Sequence, residues 1–248
     1  MIHLSLGKLG SGKTLTQVRR IAMDKSNMKY YSNIKIDSPN AILLKTSMII
    51  QTEVVGEKKK KNGEINPIVN KTFNKQFWVN VPKPISVVID EIGQISNSRR
   101  SMSKTNIIIN TWLVSLRRAL GGLEYGQGDL VLIAQDIMQV DKLIRDLSVN
   151  IIYNISHWVK KCQKCGYGVY ETSEMPEFMS VCRRCKSIEL KKERLSIQLF
   201  YFNSVSSYNA WKIAGYRTYY KNEIIHDAHK YWNLYDTLQW DNLFEDEY

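Results

Sequence analysis

No stretch of the chain approaches the run of roughly 18 consecutive apolar residues that a membrane-spanning helix needs. Proline is scarce, with 5 residues among 248, and no internal repeat or low-complexity tract is present. Hydrophobic residues still make up 44% of the chain and charged residues 24%, a composition typical of a folded protein with a buried core. Together these features exclude an integral helical membrane protein, a collagen-like chain and an intrinsically disordered chain.

Acidic residues are too few to balance the basic ones. The chain has 35 Lys and Arg against 24 Asp and Glu, which leaves a formal net charge of +11. Such an excess favours a polyanionic partner such as nucleic acid, although basic proteins without such a partner are common. The segment Met1 to Leu6 lacks the basic region and apolar stretch of a secretory signal, so we expect a reducing cytoplasmic compartment and no membrane partner.

Hydrophobic patterning predicts strands that alternate with helices. Ile85–Ile89 and Leu130–Ala134 are continuous apolar runs, which are typical of buried parallel strands. Residues 14–25 and 106–120 show helical spacing of apolar side chains. The predicted fold class is therefore α/β, with a mainly parallel sheet.

Changes in composition divide the chain into three segments. Residues 1–156 form the predicted core, with a basic hairpin insertion near 53–75 whose flanking pieces, 48–55 and 73–81, are predicted to be strands. Residues 157–190 are rich in Cys, Gly, Lys and Arg, which indicates a small module. In the last segment, 191–248, we expect strands at 195–202 and 210–220 and a helix at 224–240, which complete or pack on the core.

The clearest motif lies at the first transition from strand to helix. Its residues match the pattern of glycine, four residues, glycine, lysine and serine or threonine: Gly7, Lys8, Leu9, Gly10, Ser11, Gly12, Lys13 and Thr14. Such a loop, together with Leu15, is expected to hold the phosphates of ATP, with Lys13 on the β- and γ-phosphates and Thr14 on Mg²⁺. For Lys8, a second phosphate contact and a solvated side chain are both open.

Polar residues follow two of the buried strands. Asp90 and Glu91 follow Ile85–Ile89, and we assign Asp90 to Mg²⁺ and Glu91 to the general base that activates water. Gln135 follows Leu130–Ala134 and would sense the γ-phosphate in the same crevice. The alternatives are that the acids cap a helix and that Gln135 merely closes a strand.

Five arginines are candidates for a residue that acts on the nucleotide of a neighbouring subunit. Arg117 and Arg118, at the end of a predicted helix, rank first; Arg145 follows, and Arg99 and Arg100 come last. For each of them, a surface position or a contact to DNA phosphate is the alternative.

The four cysteines form two Cys-x2-Cys pairs, Cys162/Cys165 and Cys182/Cys185, separated by sixteen residues. This spacing predicts a zinc ribbon in which four thiolates close a structural Zn²⁺ site. Free core cysteines or a redox pair are the alternatives. The basic residues around the cysteines indicate either contact with DNA or a solvated face, and both interpretations are open.

Several of these stretches resemble the zonular occludens toxin family of phage ATPases. The resemblance covers Gly7 to Thr14, residues 31–34, 87–91, 116–118, 129–135 and 140–145, with a short echo at 231–237. It implies a RecA-like P-loop core of the FtsK–HerA class of DNA-pumping ATPases, and hence a homo-oligomeric, hexameric ring. Filamentous-phage members carry a membrane helix after this domain, whereas no comparable apolar run occurs here, and the cysteine segment has no counterpart in them.

The resulting hypothesis is a viral Mg²⁺-dependent ATPase that translocates double-stranded DNA during genome packaging. We expect it in the host cytoplasm or associated with the virion, with a capsid or portal partner. Two alternatives remain open. One is a replication or recombination ATPase that loads or remodels DNA, and the other is a nucleotide-ordered assembly scaffold with little turnover.

Overall fold

The computed structural model describes residues 1–59, 65–95, 104–120, 128–174 and 181–236. Its strands are β1 (Ile2–Leu6), β2 (Lys29–Ser32), β3 (Ala41–Leu43), β4 (Ile50–Lys59), β5 (Ile65–Phe73), β6 (Ile85–Ile89), β7 (Leu130–Ala134), β8 (Asn150–Cys162), β9 (Gly168–Thr172), β10 (Leu190–Phe202) and β11 (Lys221–Ile225). Its α-helices are α1 (Lys13–Met23), α2 (Thr46–Ile49), α3 (Lys75–Asn80), α4 (Ile92–Ile95), α5 (Lys104–Leu120), α6 (Lys142–Leu147) and α7 (Val205–Ala214). Short 3-10 helices span Ile137–Gln139 and Ala228–Leu234.

Nine of the described strands form one sheet, in the order β11-β10-β8-β1-β7-β6-β2-β3, with β9 paired to β8. β1 lies between two parallel neighbours, β7 and β8, and the parallel arrangement continues through β6, β2 and β3. Only the pairings of β9, β10 and β11 within this sheet are antiparallel among the described strands. The predicted α/β fold with a mainly parallel sheet is therefore confirmed.

Helices cover both faces of this sheet. On one face, α5 packs its apolar stripe, which includes Ile109, Trp112 and Leu116, against the central strands. On the other face, Val18 and Ile21 of α1 pack against β6 and β7. All five residues of β6 and all five of β7 are buried, which explains their uninterrupted apolar sequences.

The insertion between β3 and β6 contains the antiparallel hairpin β4–β5, whose tip lies outside the described residues. The expectation of a strand at 73–81 was wrong, because β5 ends at Phe73 and α3 follows. Asn74 caps this helix by accepting a hydrogen bond from the Phe77 N–H at 3.2 Å. A capping residue directly before Lys75 is the local signal for a helix here.

The C-terminal segment also differs from the prediction. The strand expected at 195–202 is present as part of β10, but the segment expected as a second strand at 210–220 begins inside helix α7. The Ser204 hydroxyl caps α7, and Gly215 ends it with φ of 72°. In place of a helix at 224–240, β11 is followed by a 3-10 helix at Ala228–Leu234, and residues 237–240 lie outside the described part of the chain.

The cysteine segment is continuous with the core sheet. β8 pairs with β1 through Asn150–Tyr153 and runs on without interruption to Cys162, while β10 pairs with it over almost its whole length. The boundary expected between residues 156 and 157 thus lies inside β8. Composition changes at this position, whereas the backbone hydrogen-bond ladder does not. Among the helices that the structure describes, none is both long enough and apolar enough to cross a membrane.

Candidate functional site

The glycine-rich loop connects the end of β1 to the start of α1. Gly7 adopts φ of 150°, and a Cβ there would lie 2.6 Å from the Asn154 carbonyl oxygen. Gly12 adopts φ of 86°, and its Cβ would lie 2.4 Å from Cδ1 of Ile197. Both the left-handed backbone and the lack of space require glycine, so the loop wraps tightly and ends at the N-terminus of α1.

Two polar side chains of this loop are buried within it. The Lys13 ammonium donates to the carbonyl oxygens of Gly7 at 2.9 Å and Lys8 at 3.1 Å. Burial lowers the pKa of Lys13, and the negative charges of Glu91 and Asp90 oppose that shift. The Ser11 hydroxyl is buried and has no hydrogen-bond partner among the described residues. The loop therefore presents a buried cation and a buried hydroxyl without a partner among the described residues, two groups that can bind a phosphate.

Asp90 lies directly opposite the start of α1. Its Oδ2 accepts a hydrogen bond from the Thr14 hydroxyl at 2.8 Å. Asn33, which follows β2, accepts the Asp90 backbone N–H at 2.8 Å and donates to the Asp90 carbonyl at 3.0 Å. Burial raises the pKa of Asp90, while the hydrogen bond from Thr14 lowers it. The Thr14 hydroxyl and the Asp90 carboxylate form an oxygen pair of the kind that hard divalent cations prefer.

Glu91 and Gln135 meet across the same edge of the sheet. Gln135 Nε2 donates to Glu91 Oε1 at 3.4 Å, and the backbone of Glu91 has a positive φ of 50°. Gln139 accepts the backbone N–H of Gln135 at 3.2 Å, which fixes the end of β7. Non-glycine residues rarely adopt such a φ, and strained positions of this kind cluster at functional sites. The two residues predicted to act on the γ-phosphate and its water are thus brought into contact.

The other predicted loop residues point in different directions. Lys8 is exposed, and its Nζ lies 3.2 Å from the carboxylate of Glu174. Leu9 is 81% exposed. Leu15 is buried in an apolar cluster with Ile197 and Ile225, where it fixes α1 against β10 and β11.

Residues 231–236 form a strap that packs against α1. The backbone of Asp37 donates to the Leu234 carbonyl at 2.7 Å, and Tyr235 forms a β-bridge with Ile36. Burial raises the pKa of Tyr235 to about 12, and the negative charge of Asp90 adds to that shift. The strap therefore reaches the electrostatic environment of the predicted magnesium residue.

Of the five candidate arginines, the structure describes the side chain of Arg145. Arg99 and Arg100 lie outside the described residues, and for Arg117 and Arg118 only the helical backbone of α5 is described. Arg145 lies on α6, where its guanidinium contacts the Met138 sulfur at 3.4 Å. The ranking of these arginines stays a prediction.

The four cysteine thiols converge at the far end of β8. All four Sγ atoms lie within 4.8 Å of one another, with Cys162–Cys185 and Cys165–Cys182 separations of 3.5 Å. Each pair forms the same turn. Its first cysteine carbonyl accepts an N–H at 2.9 Å from the residue after the second cysteine, Gly166 or Lys186, and both of those residues have positive φ. Two matching knuckles thus present four sulfur atoms to one point, which is the donor set of a closed tetrahedral zinc site.

Exposed basic and aromatic side chains surround this cluster. Lys161, Lys164, Arg184 and Lys186 are exposed, as are Tyr167 and Tyr170. Lys160 instead forms an ion pair with Glu171 across the β8–β9 pair. The knuckles therefore carry a cationic surface at the end of the sheet.

Sequence reasoning did not identify four residues that contact the candidate site residues or the loop: Asn33, Gln139, Asn154 and Glu174. Asn154 is buried, and its amide donates to Ser5 Oγ and to the Leu6 carbonyl, each at 2.9 Å, at the base of the loop. An amide within the mostly apolar run 151–155, and an amide directly after β2, are the signals that could have revealed Asn154 and Asn33. Glu174 carries no comparable local signal.

Two solved structures show similarity to this chain. The N-terminal domain of zonular occludens toxin from Neisseria meningitidis is 18% identical, with a TM-score of 0.47 over 95% of this chain and 98% of that one. The genome packaging NTPase B204 from Sulfolobus turreted icosahedral virus 2, in complex with AMPPCP, is 13% identical, with a TM-score of 0.36 over 61% of this chain and 73% of that one. No curated protein matches this chain.

A family model gives the assignment. The model of zonular occludens toxin (Zot) matches residues 1–162, which include the glycine-rich loop, the Asp90–Glu91 pair and Gln135. This is more than half of the chain. The chain therefore belongs to the zonular occludens toxin (Zot) family.

Proposed function

We propose that this protein is a Mg²⁺-dependent ATPase that drives the translocation of double-stranded DNA, in viral genome packaging. The observation that carries the proposal is the convergence of the loop, Thr14, Asp90, Glu91 and Gln135 at one edge of the sheet. In P-loop enzymes this set of groups positions a triphosphate, a metal ion and a water molecule for phosphoryl transfer.

Each residue has a distinct role in the proposed reaction. The loop backbone and Lys13 bind the phosphates, and Thr14 with Asp90 would hold the magnesium ion, which neutralises phosphate charge when bound. Glu91 takes a proton from the attacking water as the γ-phosphate bond to ADP breaks, which gives ADP and inorganic phosphate. Gln135, in contact with Glu91, responds to the presence of the γ-phosphate.

The charge of the chain supports DNA as the partner. The net charge is +11, and the cationic surface at the cysteine knuckles can contact phosphates without reading sequence. The family resemblance also implies an assembly of several subunits. We therefore propose a ring of identical subunits, hexameric by the family resemblance, in which Arg117 or Arg118 of one subunit acts on its neighbour's nucleotide.

The cysteine cluster is proposed to hold one structural Zn²⁺. The close Sγ atoms and the paired knuckles fit the tetrahedral thiolate site that zinc favours, with all four positions taken by protein. Cys162, Cys165, Cys182 and Cys185 would be its ligands. Zinc there would stabilise the end of β8 and the turn into β9 rather than take part in catalysis.

A triplex displacement assay tests the motor directly. A fluorescent third strand is annealed to duplex DNA, and the protein is added with ATP and Mg²⁺; displacement that depends on ATP is the expected result. Lys13→Ala serves as the variant without nucleotide binding, and Lys230→Ala, an exposed lysine next to Asp227, serves as the matched lysine control. DNA-stimulated hydrolysis without displacement would favour a loader, and negligible hydrolysis with tight ATP binding would favour a scaffold. Either outcome contradicts the proposed motor.

A further inference from the structure

β9, the strand that follows the first cysteine pair, lies near the phosphate-binding loop. β8 pairs with β10 on one side throughout, and its other side carries β1 at Asn150–Tyr153 and β9 at His157–Lys161. β9 therefore occupies the place in the sheet beyond the end of β1. Its chain leaves toward the loop, with the Ser173 N–H donating to the Ser156 carbonyl at 3.0 Å.

Glu174, which follows β9, lies beside the phosphate-binding loop. Its carboxylate lies 3.2 Å from Lys8 Nζ, and its backbone carbonyl accepts from the same ammonium at 3.5 Å. The other carboxylate oxygen accepts the Tyr153 hydroxyl at 2.7 Å, and Lys212 of α7 donates to that hydroxyl at 2.6 Å. Tyr153 of β8 thus fixes the Glu174 carboxylate, and Lys212 of α7 in turn fixes the Tyr153 hydroxyl.

Lys8 occupies a central position in the geometry of the loop. Its carbonyl oxygen accepts the Lys13 ammonium and the Ser11 N–H, each at 3.1 Å. The side chain that Glu174 holds therefore belongs to the residue whose backbone orients two groups of the phosphate site. The Lys8 ammonium is itself held by both the carboxylate and the backbone carbonyl of Glu174.

We propose that Glu174 is a positioning residue of the nucleotide site, which acts through Lys8 to keep the phosphate-binding loop in its binding conformation. This inference rests on the proposed nucleotide binding and extends it to the cysteine module. The module carries the strand that places Glu174, so it is part of the nucleotide site's support and not an appendage to the core.

The test is a double-mutant cycle on nucleotide affinity. The affinity for a fluorescent ATP analogue with Mg²⁺ is measured for the full chain and for Glu174→Gln, Lys8→Met and the double variant. Glu174→Gln should weaken binding about fivefold in the parent, the size expected for one partly exposed charged contact, and less than twofold in the Lys8→Met background. The matched control is Glu223→Gln, because Glu223 likewise accepts a tyrosine hydroxyl, that of Tyr201 at 2.7 Å, and pairs with a lysine, Lys221.

The possible outcomes separate this inference from the proposed function. Equal weakening by Glu174→Gln in both backgrounds, no weakening in either, or a similar loss in Glu223→Gln would overturn the positioning role and leave nucleotide binding intact. Tighter binding in both backgrounds would mean that Glu174 acts only as a negative charge near the phosphates, which also overturns it. Failure of the parent protein to bind the analogue would overturn the proposed function, and this inference with it.

Discussion

At the scale of single residues, hydrogen bonds from Asn33 and Thr14 fix Asp90. Asn33 bonds to both sides of its backbone, and the Thr14 hydroxyl bonds to its carboxylate. The side chain therefore loses little freedom when a cation binds, which is the advantage of preorganisation. The same network leaves Glu91, the next residue, with the unusual φ that turns its carboxylate toward Gln135.

The loop glycines give a prediction that separates backbone strain from crowding. Gly10 and Gly12 both have left-handed φ, but a Cβ at Gly10 meets no atom within 4 Å, whereas a Cβ at Gly12 meets Ile197. Gly10→Ala should lower the free energy of unfolding by about 1 kcal/mol, the cost of left-handed backbone. Gly12→Ala adds overpacking and should lower it by about 2–4 kcal/mol.

Urea unfolding of the two glycine variants measures this difference. Both are compared with the parent under identical conditions, so that Gly10→Ala serves as the control for strain alone. Equal losses in the two variants would show that the contact with Ile197 does not constrain the loop.

Some residues of the candidate nucleotide site can be predicted from the sequence, and others cannot. Lys13, Thr14 and Asp90 follow from motif spacing, because a phosphate loop and the end of a buried strand have fixed positions in a parallel sheet. Glu174 could not be predicted in this way. Its contact with Lys8 depends on the pairing of β9 with β8, which brings distant segments together and leaves no local pattern.

At the scale of elements, the cysteine segment is an extension of core strands. β8 and β10 run from the nucleotide core into the knuckles without a break, so the change in composition at Trp158 marks a change of solvent exposure and not of backbone structure. A similar reason explains the error at 210–220. The Ser204 cap and the packing of Tyr208 and Trp211 against Tyr153 stabilise a helix that extends into this segment.

Metal content is the prediction that belongs to this element. Protein purified under reducing conditions should contain about one zinc ion per chain by elemental analysis, and Cys165→Ser should lose most of it and unfold at a lower temperature. Lys164→Ala, an exposed change within the same knuckle, should keep both the metal and the stability. Stoichiometric zinc in Cys165→Ser, or none in the parent, would remove the proposed site.

At the scale of the whole molecule, the loop, Thr14, Asp90 and Glu91 meet at one edge of the sheet in the described part of the chain. Arg117 and Arg118, which we propose to act from a neighbouring subunit, have side chains outside that description. Contacts between subunits could not be predicted from this sequence, because they depend on surfaces that carry no motif.

Mixed assemblies test the arginine assignment. Arg118→Ala or Arg117→Ala should bind ATP normally and yet fail to support hydrolysis by a neighbouring subunit, because the transition-state charge loses its partner. Mixing either variant with Lys13→Ala, whose arginines are intact, should restore some turnover at interfaces where a working loop faces a working arginine. Lost ATP binding in the arginine variants, or no rescue in assemblies shown to be mixed, would instead favour contact with DNA phosphate.

The most direct test of the central claim is a comparison of ATP binding and hydrolysis in the parent and in Glu91→Gln. Removing the base leaves the loop, Thr14 and Asp90 in place, so the variant should bind ATP with the parent's affinity while its turnover falls by about 100-fold or more. Glu57→Gln, an exposed change on the β4–β5 hairpin, should keep the parent's turnover. Hydrolysis by Glu91→Gln at the parent's rate would contradict the account.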